Sequence, residues 1–203
     1  MKEKSNYSKL LKIYKNNGGF ITRKNADDAN IPSWFLSDFV KKHHLNKRAP
    51  GFYADDSYEL DEFYGLQRRY PKYIFSGISA LYLNELTDKI YAVREVTAPQ
   101  GYNPSRNKID DLIIHKISNE EIYKLGIKEC KTIYESVVKV YDPERTICDL
   151  IKHRDKYDSE TFIKAVYLYV LRYNDQIKLF KYAKILGIEK KVFEVMELVN
   201  NEI

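Results

Sequence analysis

The 203-residue chain, 44% hydrophobic and 31% charged, holds enough apolar material for one large core or, better, one small and one medium core, and so for one or two domains. It has no run of about eighteen apolar residues, no secretory signal in MKEKSNYSKLLKIYKNN, and only Cys130 and Cys148, without C-x-x-C spacing, which excludes a membrane span, a disulfide framework and a zinc knuckle and points to a soluble cytoplasmic protein. The net charge is +5, yet residues 1–54 hold 11 Lys/Arg against 4 Asp/Glu, so the basic excess is entirely N-terminal, the footprint of a nucleic-acid-binding module.

Tyr7, Leu10, Leu11 and Tyr14 recur at the helical period and predict an amphipathic helix over residues 5–16, ended by Gly18 and Gly19. GFIT follows as a short extended piece. Thr22 is then an N-cap for a second helix reaching Ala29, Asn30 suits a left-handed turn, and Pro32 suits the first turn of a third helix. On that third helix Leu36, Phe39 and Val40 fall on one side, while Trp34, Ser37, Asp38 and Lys41 fall on the other. His43 and His44 close it, where the helix dipole favours a cation. HLNKR and FYA flank APG, whose Pro50 and Gly51 suit a type II turn, so the segment reads as strand, basic turn and strand.

Helix, strand, helix, turn, helix, hairpin is the order of a winged helix-turn-helix. A helix about 10–12 Å across fits the major groove, and the adjacent hairpin can meet neighbouring phosphates. The candidate DNA-binding residues are Ser33, Trp34, Ser37 and Lys41 in or beside the groove, with Arg23, Lys24, Lys42, Lys47 and Arg48 on the backbone.

The acidic stretch DDSYELDEFY breaks the basic pattern and divides a DNA-binding domain, residues 1–57, from a C-terminal domain, residues 58–203. A helix from Asp61 to Arg69 follows. Ser76 caps a helix burying Ile78, Leu81 and Tyr82; IYAVREVTAP and DLIIHKI read as strands; Ser118 and Glu121 form a capping box before a stop at Gly126; and KECKTIYESVVKVYD supplies two more strands. Asp142 and Pro143 start a helix with Ile147, Leu150 and Ile151 inward, on which Arg145 and Asp149 stand one turn apart and can pair. Three helices end the chain, with stripes at Phe162, Val166 and Tyr169, at Ile177, Phe180 and Lys184, and at Val192, Val195, Met196 and Val199. The fold class is α+β: an N-terminal winged helix-turn-helix, then a larger mixed α/β domain ending in a helical bundle.

GFITRKNADDANIPSWFLSDFVKKHHLNKRAPGFYA, SALYLNELTD and VYDPERTICDLI resemble, in order along nearly the whole chain, the AbiEi family of bacterial abortive-infection antitoxins, the antitoxin halves of type IV toxin-antitoxin pairs used in phage defence. The resemblance implies a winged helix that represses its own operon by binding double-stranded operator DNA at inverted repeats. It also implies a C-terminal domain that neutralises a nucleotidyltransferase toxin without a stable complex. No coiled-coil seam is present, so a monomer in solution that assembles cooperatively on DNA is expected.

No catalytic residue, cofactor or metal is expected. The strongest enzyme alternative is a Mg²⁺-dependent nuclease targeted to DNA by the winged helix, built from Asp110 or Asp111 with Glu129 and Lys131. No phosphate-binding Gly-rich loop or G-x-S-x-G elbow occurs, and the four histidines are scattered, with His115 and His153 read as structural hydrogen-bonders.

Overall fold

The computed structural model describes residues 2–55, 61–89, 91–103 and 111–200. Its helices and two separate sheets make an α+β protein, divided into compact units of Met1–Gly65 and Leu66–Ile203. The units divide at Gly65, where the sequence suggested residue 57. Residues 56–60 of the acidic stretch lie outside the described residues, and among the described residues no helix is long and apolar enough to cross a membrane.

The first unit runs α1 (Lys2–Asn16), β1 (Phe20–Thr22), α2 (Arg23–Asp28), α3 (Ser33–Lys42), β2 (Asn46–Ala49) and β3 (Phe52–Ala54). Asn30 and His44, at φ 55° and 52°, make the left-handed turns that stop α2 and α3. Thr22 caps α2 through the Asn25 amide, and Asn25 Oδ1 accepts in return from the Thr22 amide, both at 3.0 Å; Asn here takes the place of the usual Glu or Gln in a capping box. Pro32 stands at the N-cap of α3, one position before the helical turn expected for it.

β3 lies between β1 and β2 in an antiparallel sheet. Strand alternation sends Ile21 and Tyr53 to the face covered by the helices, where Leu10, Ala26, Ile31, Leu36 and Phe39 are buried. Each fully buried large apolar side chain contributes about 1.5–3 kcal/mol. The six-residue α2 is too short to stand without that packing. On the opposite face Phe20 and Phe52 stack at 4.9 Å beneath Tyr64 of α4 (Glu62–Arg69).

The second unit continues with β4 (Ile74–Phe75), α5 (Gly77–Leu83), β5 (Arg94–Pro99), β6 (Leu112–Ile117), α6 (Glu120–Lys124), β7 (Ile127–Lys131), β8 (Val137–Tyr141), α7 (Pro143–Lys152), α8 (Ser159–Arg172), α9 (Gln176–Leu186) and α10 (Glu189–Asn200). The sheet order is β6-β5-β4-β8-β7, with β5 parallel to β6, β4 parallel to β8 and the other pairs antiparallel. Three sequence expectations shift. Asn119, not Ser118, caps α6. α5 buries Ser79, Ala80 and Leu81, because it packs on both β5 and α7, and leaves Ile78 and Tyr82 half-buried. α9 buries Leu179, Ala183 and Leu186, so Ile177 points out at 88% exposure.

α7 is the centre of this unit, packed by α5, α8, α9 and α10, and Ile147, Cys148, Leu150 and Ile151 are buried along it. Its polar residues Glu144, Arg145 and Thr146 are buried as well, and Asp149 is half-buried. Arg145, 1% exposed, holds Asp149 at 3.0 Å, stacks on the Tyr141 ring at 4.5 Å, and donates to the carbonyls of Ile122 at 2.6 Å and Leu125 at 3.2 Å. Those carbonyls belong to the last turn of α6, which has no intrahelical donors for them. Gly126, at φ 78°, lets the chain pass: a Cβ there would sit 2.7 Å from that of Arg145.

At the same N-terminal end of α7, Asp142 caps the helix through the Arg145 amide at 2.9 Å. Lys178 of α9 bridges Asp142 at 3.0 Å and Glu144 at 2.8 Å. Burial works against the Lys178 ammonium, but its hydrogen bonds to Glu144 and Asp142 outweigh that and hold its pKa above the usual lysine range.

Candidate nucleic-acid interface

α3 buries Phe35, Leu36 and Phe39 and turns Ser33, Trp34, Ser37, Asp38 and Lys41 outward, with Val40 half-buried. Trp34 is 61% exposed and set edge-on against the Phe35 ring at 5.3 Å, so a broad apolar surface is fixed at the start of the helix. The Ser37 hydroxyl donates to the Ser33 carbonyl at 3.1 Å. Pro32 at the N-cap has no polar side chain to offer, and no side chain caps the first turn.

Lys47 and Arg48 are exposed on β2. The register pairs Lys47 with Tyr53 and then Ala49 with Phe52, so Arg48 is the extra residue of a bulge. Its Nη2 donates to the Asp55 carbonyl at 3.3 Å. Gly51, at φ 73°, completes the turn with Pro50. The Arg23 amide donates to the Gly51 carbonyl at 2.7 Å, which ties the start of α2 to the hairpin tip.

The Arg23 guanidinium pairs with Asp27 at 3.0 Å, and Lys24 is exposed beside it. Lys42 differs from the rest: its ammonium lies over the Tyr7 ring of α1 at 4.5 Å. The structure therefore groups Ser33, Trp34, Ser37 and Lys41 on one face, brings Arg23 to the hairpin turn, and sets Lys42 apart against α1.

Behind the α3 face, His43 ties α3 to α1. Its ring lies 4.3 Å from Phe39 and 5.8 Å from both Tyr7 and Tyr14, and Nε2 shares a hydrogen bond of 2.8 Å with the Tyr7 hydroxyl. Tyr14 donates to Asp55, and burial, that bond and the carboxylate's charge push its phenol up to about 12. Burial first, then Lys42 and His44, lower the His43 pKa below its ordinary 6.5. His43 closes α3 as its C-cap, but burial and these neighbours work against a cation there, where the sequence reading expected the helix dipole to favour one. Sequence reasoning missed this contact because its partners come from α1, and the aromatic spacing of Tyr7 and Tyr14 was the available signal.

A folded-state pKa below the unfolded value means that the unfolded chain takes the proton first. The stabilisation from His43 is complete above about pH 6.5 and is lost as the pH falls through the depressed folded value. Thermal unfolding followed from about pH 7.5 down to about pH 5 should show wild type losing more stability than His43→Gln; parallel losses would remove His43 as the cause.

Of the carboxylates named for the nuclease alternative, Asp111 and Glu129 are not brought together. Asp111 directly precedes β6 and Glu129 lies in β7, the two opposite edges of the five-stranded sheet, about 19 Å apart at the usual strand spacing. Lys131 is paired with Glu135 at 2.5 Å, and Asp110 lies outside the described residues. Among the described residues no group of three His, Cys, Asp or Glu side chains is placed to hold a metal ion. Of the two histidines read as structural hydrogen-bonders, His115 has a side-chain partner, its Nε2 lying 3.4 Å from the Glu95 carboxylate; His153 closes α7 through its backbone amide on the Asp149 carbonyl at 3.0 Å.

No protein-family description matches the chain, and no curated protein is similar to it. Among solved structures, the crystal structure of the RV2827C protein from Mycobacterium tuberculosis superposes with a TM-score of 0.58 at 9% identity, over 89% of this chain and 71% of that one. This is a likeness of fold.

Proposed function

We propose that the first unit is a winged helix-turn-helix that binds duplex DNA, with α3 in the major groove and the β2–β3 hairpin on the neighbouring phosphates. One observation carries this reading: the outward face of α3, with Ser33, Trp34, Ser37 and Lys41, leads directly into a hairpin bearing Lys47 and Arg48, in the part of the chain that holds all of its positive surplus. The uncapped start of α3 adds partial positive charge where a phosphate is favoured.

The wider role rests on the resemblance of GFITRKNADDANIPSWFLSDFVKKHHLNKRAPGFYA and VYDPERTICDLI to the AbiEi antitoxins. In that reading the chain is a cytoplasmic antitoxin of a type IV toxin-antitoxin pair. It represses its own operon at inverted repeats, assembling cooperatively from monomers, and its second unit counters a nucleotidyltransferase toxin without a stable complex. Gel-shift titration of the chain's own upstream region against a scrambled duplex, at two salt concentrations, tests it. Tighter and strongly salt-dependent binding to the upstream region supports the reading; equal or absent binding contradicts it.

A further inference from the structure

Asp38 is one of four acidic residues among residues 1–54, and it stands exposed on the outward face of α3, in the part of the chain that holds the whole positive surplus. Trp34, Asp38 and Lys41 follow at i, i+4 and i+7 and so line a single stripe of the helix, with Asp38 at its centre. Any docking that seats Trp34 and Lys41 in a groove therefore carries the Asp38 carboxylate in with them.

The fold gives that carboxylate no other task. It lies beyond the first turn of α3, where the helix dipole would favour an acid. Lys42, at i+4, is spaced to pair with it, but the Lys42 ammonium lies over the Tyr7 ring at 4.5 Å instead. Lys41, at i+3, does not pair with it either: among the described residues Asp38 has neither an ion pair nor a side-chain hydrogen bond. A free carboxylate brought against a polyanion is repelled by the phosphates unless it meets a donor. The major groove offers two, the N4 amino group of cytosine and the N6 amino group of adenine. The adenine amino group stands between two acceptors, its own N7 and thymine O4, and both repel a carboxylate. Cytosine N4 has an acceptor on one side only, guanine O6.

We propose that Asp38 is a specificity-determining residue: its carboxylate accepts from cytosine N4 in the major groove, and its charge penalises duplexes that lack a cytosine at that position. The inference deepens the DNA-binding reading and rests on it. Lys41, about 4.5 Å farther along the helix axis, then falls between one and two base pairs away, where its cation suits guanine O6 and N7. Acceptor and donor thus stand side by side on α3, and only a duplex with the matching amino and carbonyl groups satisfies both.

Competition anisotropy of the full chain, against a panel of upstream-region duplexes that each carry one base-pair replacement, tests the assignment. Wild type is expected to lose at least about fivefold in affinity when one particular C·G pair becomes T·A. In Asp38→Ala that single loss disappears while losses at other positions stay; the unaltered upstream duplex binds more weakly than to wild type, and a scrambled duplex binds more tightly. Asp38→Asn, which sets a donor beside an acceptor, should move the preference at the same position to adenine. Both variants should melt with wild type, since the side chain touches nothing in the fold. If Asp38→Ala tightens the upstream and scrambled duplexes alike and keeps every base preference, the carboxylate only repels phosphates and the proposal is overturned. A preference lost at adenine instead overturns the cytosine assignment. Binding that Lys41→Ala weakens and Asp38→Ala leaves unchanged defeats this proposal alone, whereas a wild type that does not distinguish the upstream region from a scrambled duplex defeats the DNA-binding reading with it.

Discussion

Arg145→Met is expected to destabilise the second unit by about 3–5 kcal/mol, the usual cost of removing one member of a buried ion pair. The guanidinium is 1% exposed, and its removal leaves Asp149 without its partner and two carbonyls at the end of α6 without donors. Burial is already the larger influence on Asp149 and raises its pKa, with Arg145 opposing it. Without Arg145 the folded-state pKa rises further above the unfolded value, so the variant's deficit shrinks as the pH falls through that raised value and is fullest at neutral pH. Adding Asp149→Leu should recover only part of the deficit, because the α6 carbonyls remain unpaired. Urea denaturation of the single and double variants measures this; a change below about 1 kcal/mol would be the behaviour of an exposed pair and would contradict the clamp.

How far α7 could be read from its sequence shows what local signals carry. Asp142 and Pro143 mark its start, and the four-residue spacing of Arg145 and Asp149 gives the ion pair. Nothing in ten residues tells that four other helices surround it, so the depth at which Arg145 is buried appears only with the tertiary fold. The first unit was more legible because its punctuation is chemical: Asn30 and Gly51 occupy the left-handed positions read for them, and the inward and outward faces of α3 follow from its period, whereas the left-handed turn at His44 was not read. α9 was misphased because Ala183, at the centre of its true buried stripe, is a weaker apolar signal than Ile177, which faces out. The Asp111 and Glu129 pairing failed for a different reason. Sequence spacing does not report that two strands lie on opposite edges of one sheet.

Lys47→Ala with Arg48→Ala should flatten the slope of log affinity against log salt by about two units, roughly one for each phosphate no longer neutralised, and weaken every duplex to a similar degree. Ser37→Ala or Lys41→Ala should act differently. Each is expected to cost about 1–3 kcal/mol on the chain's own upstream sequence, and much less on a scrambled duplex, whose base edges those side chains do not match. Lys42→Ala should have the smallest effect among the lysines tested, since its ammonium is engaged by the Tyr7 ring. Fluorescence anisotropy across a salt series separates the two classes. Affinity and slope left unchanged by all four substitutions at Ser37, Lys41, Lys47 and Arg48 would remove α3 and the hairpin from the DNA interface.

The chain contains one tryptophan, and it stands 61% exposed on the outward face of α3, so its emission reports on that face and no other. Titrating a duplex of the upstream region while following Trp34 emission and its quenching by acrylamide asks whether α3 is what meets the nucleic acid. The expected result is a saturable change in emission with protection from acrylamide, both reversed by added salt. Binding seen by anisotropy with Trp34 emission and quenching unaltered would contradict an α3 seated in the groove.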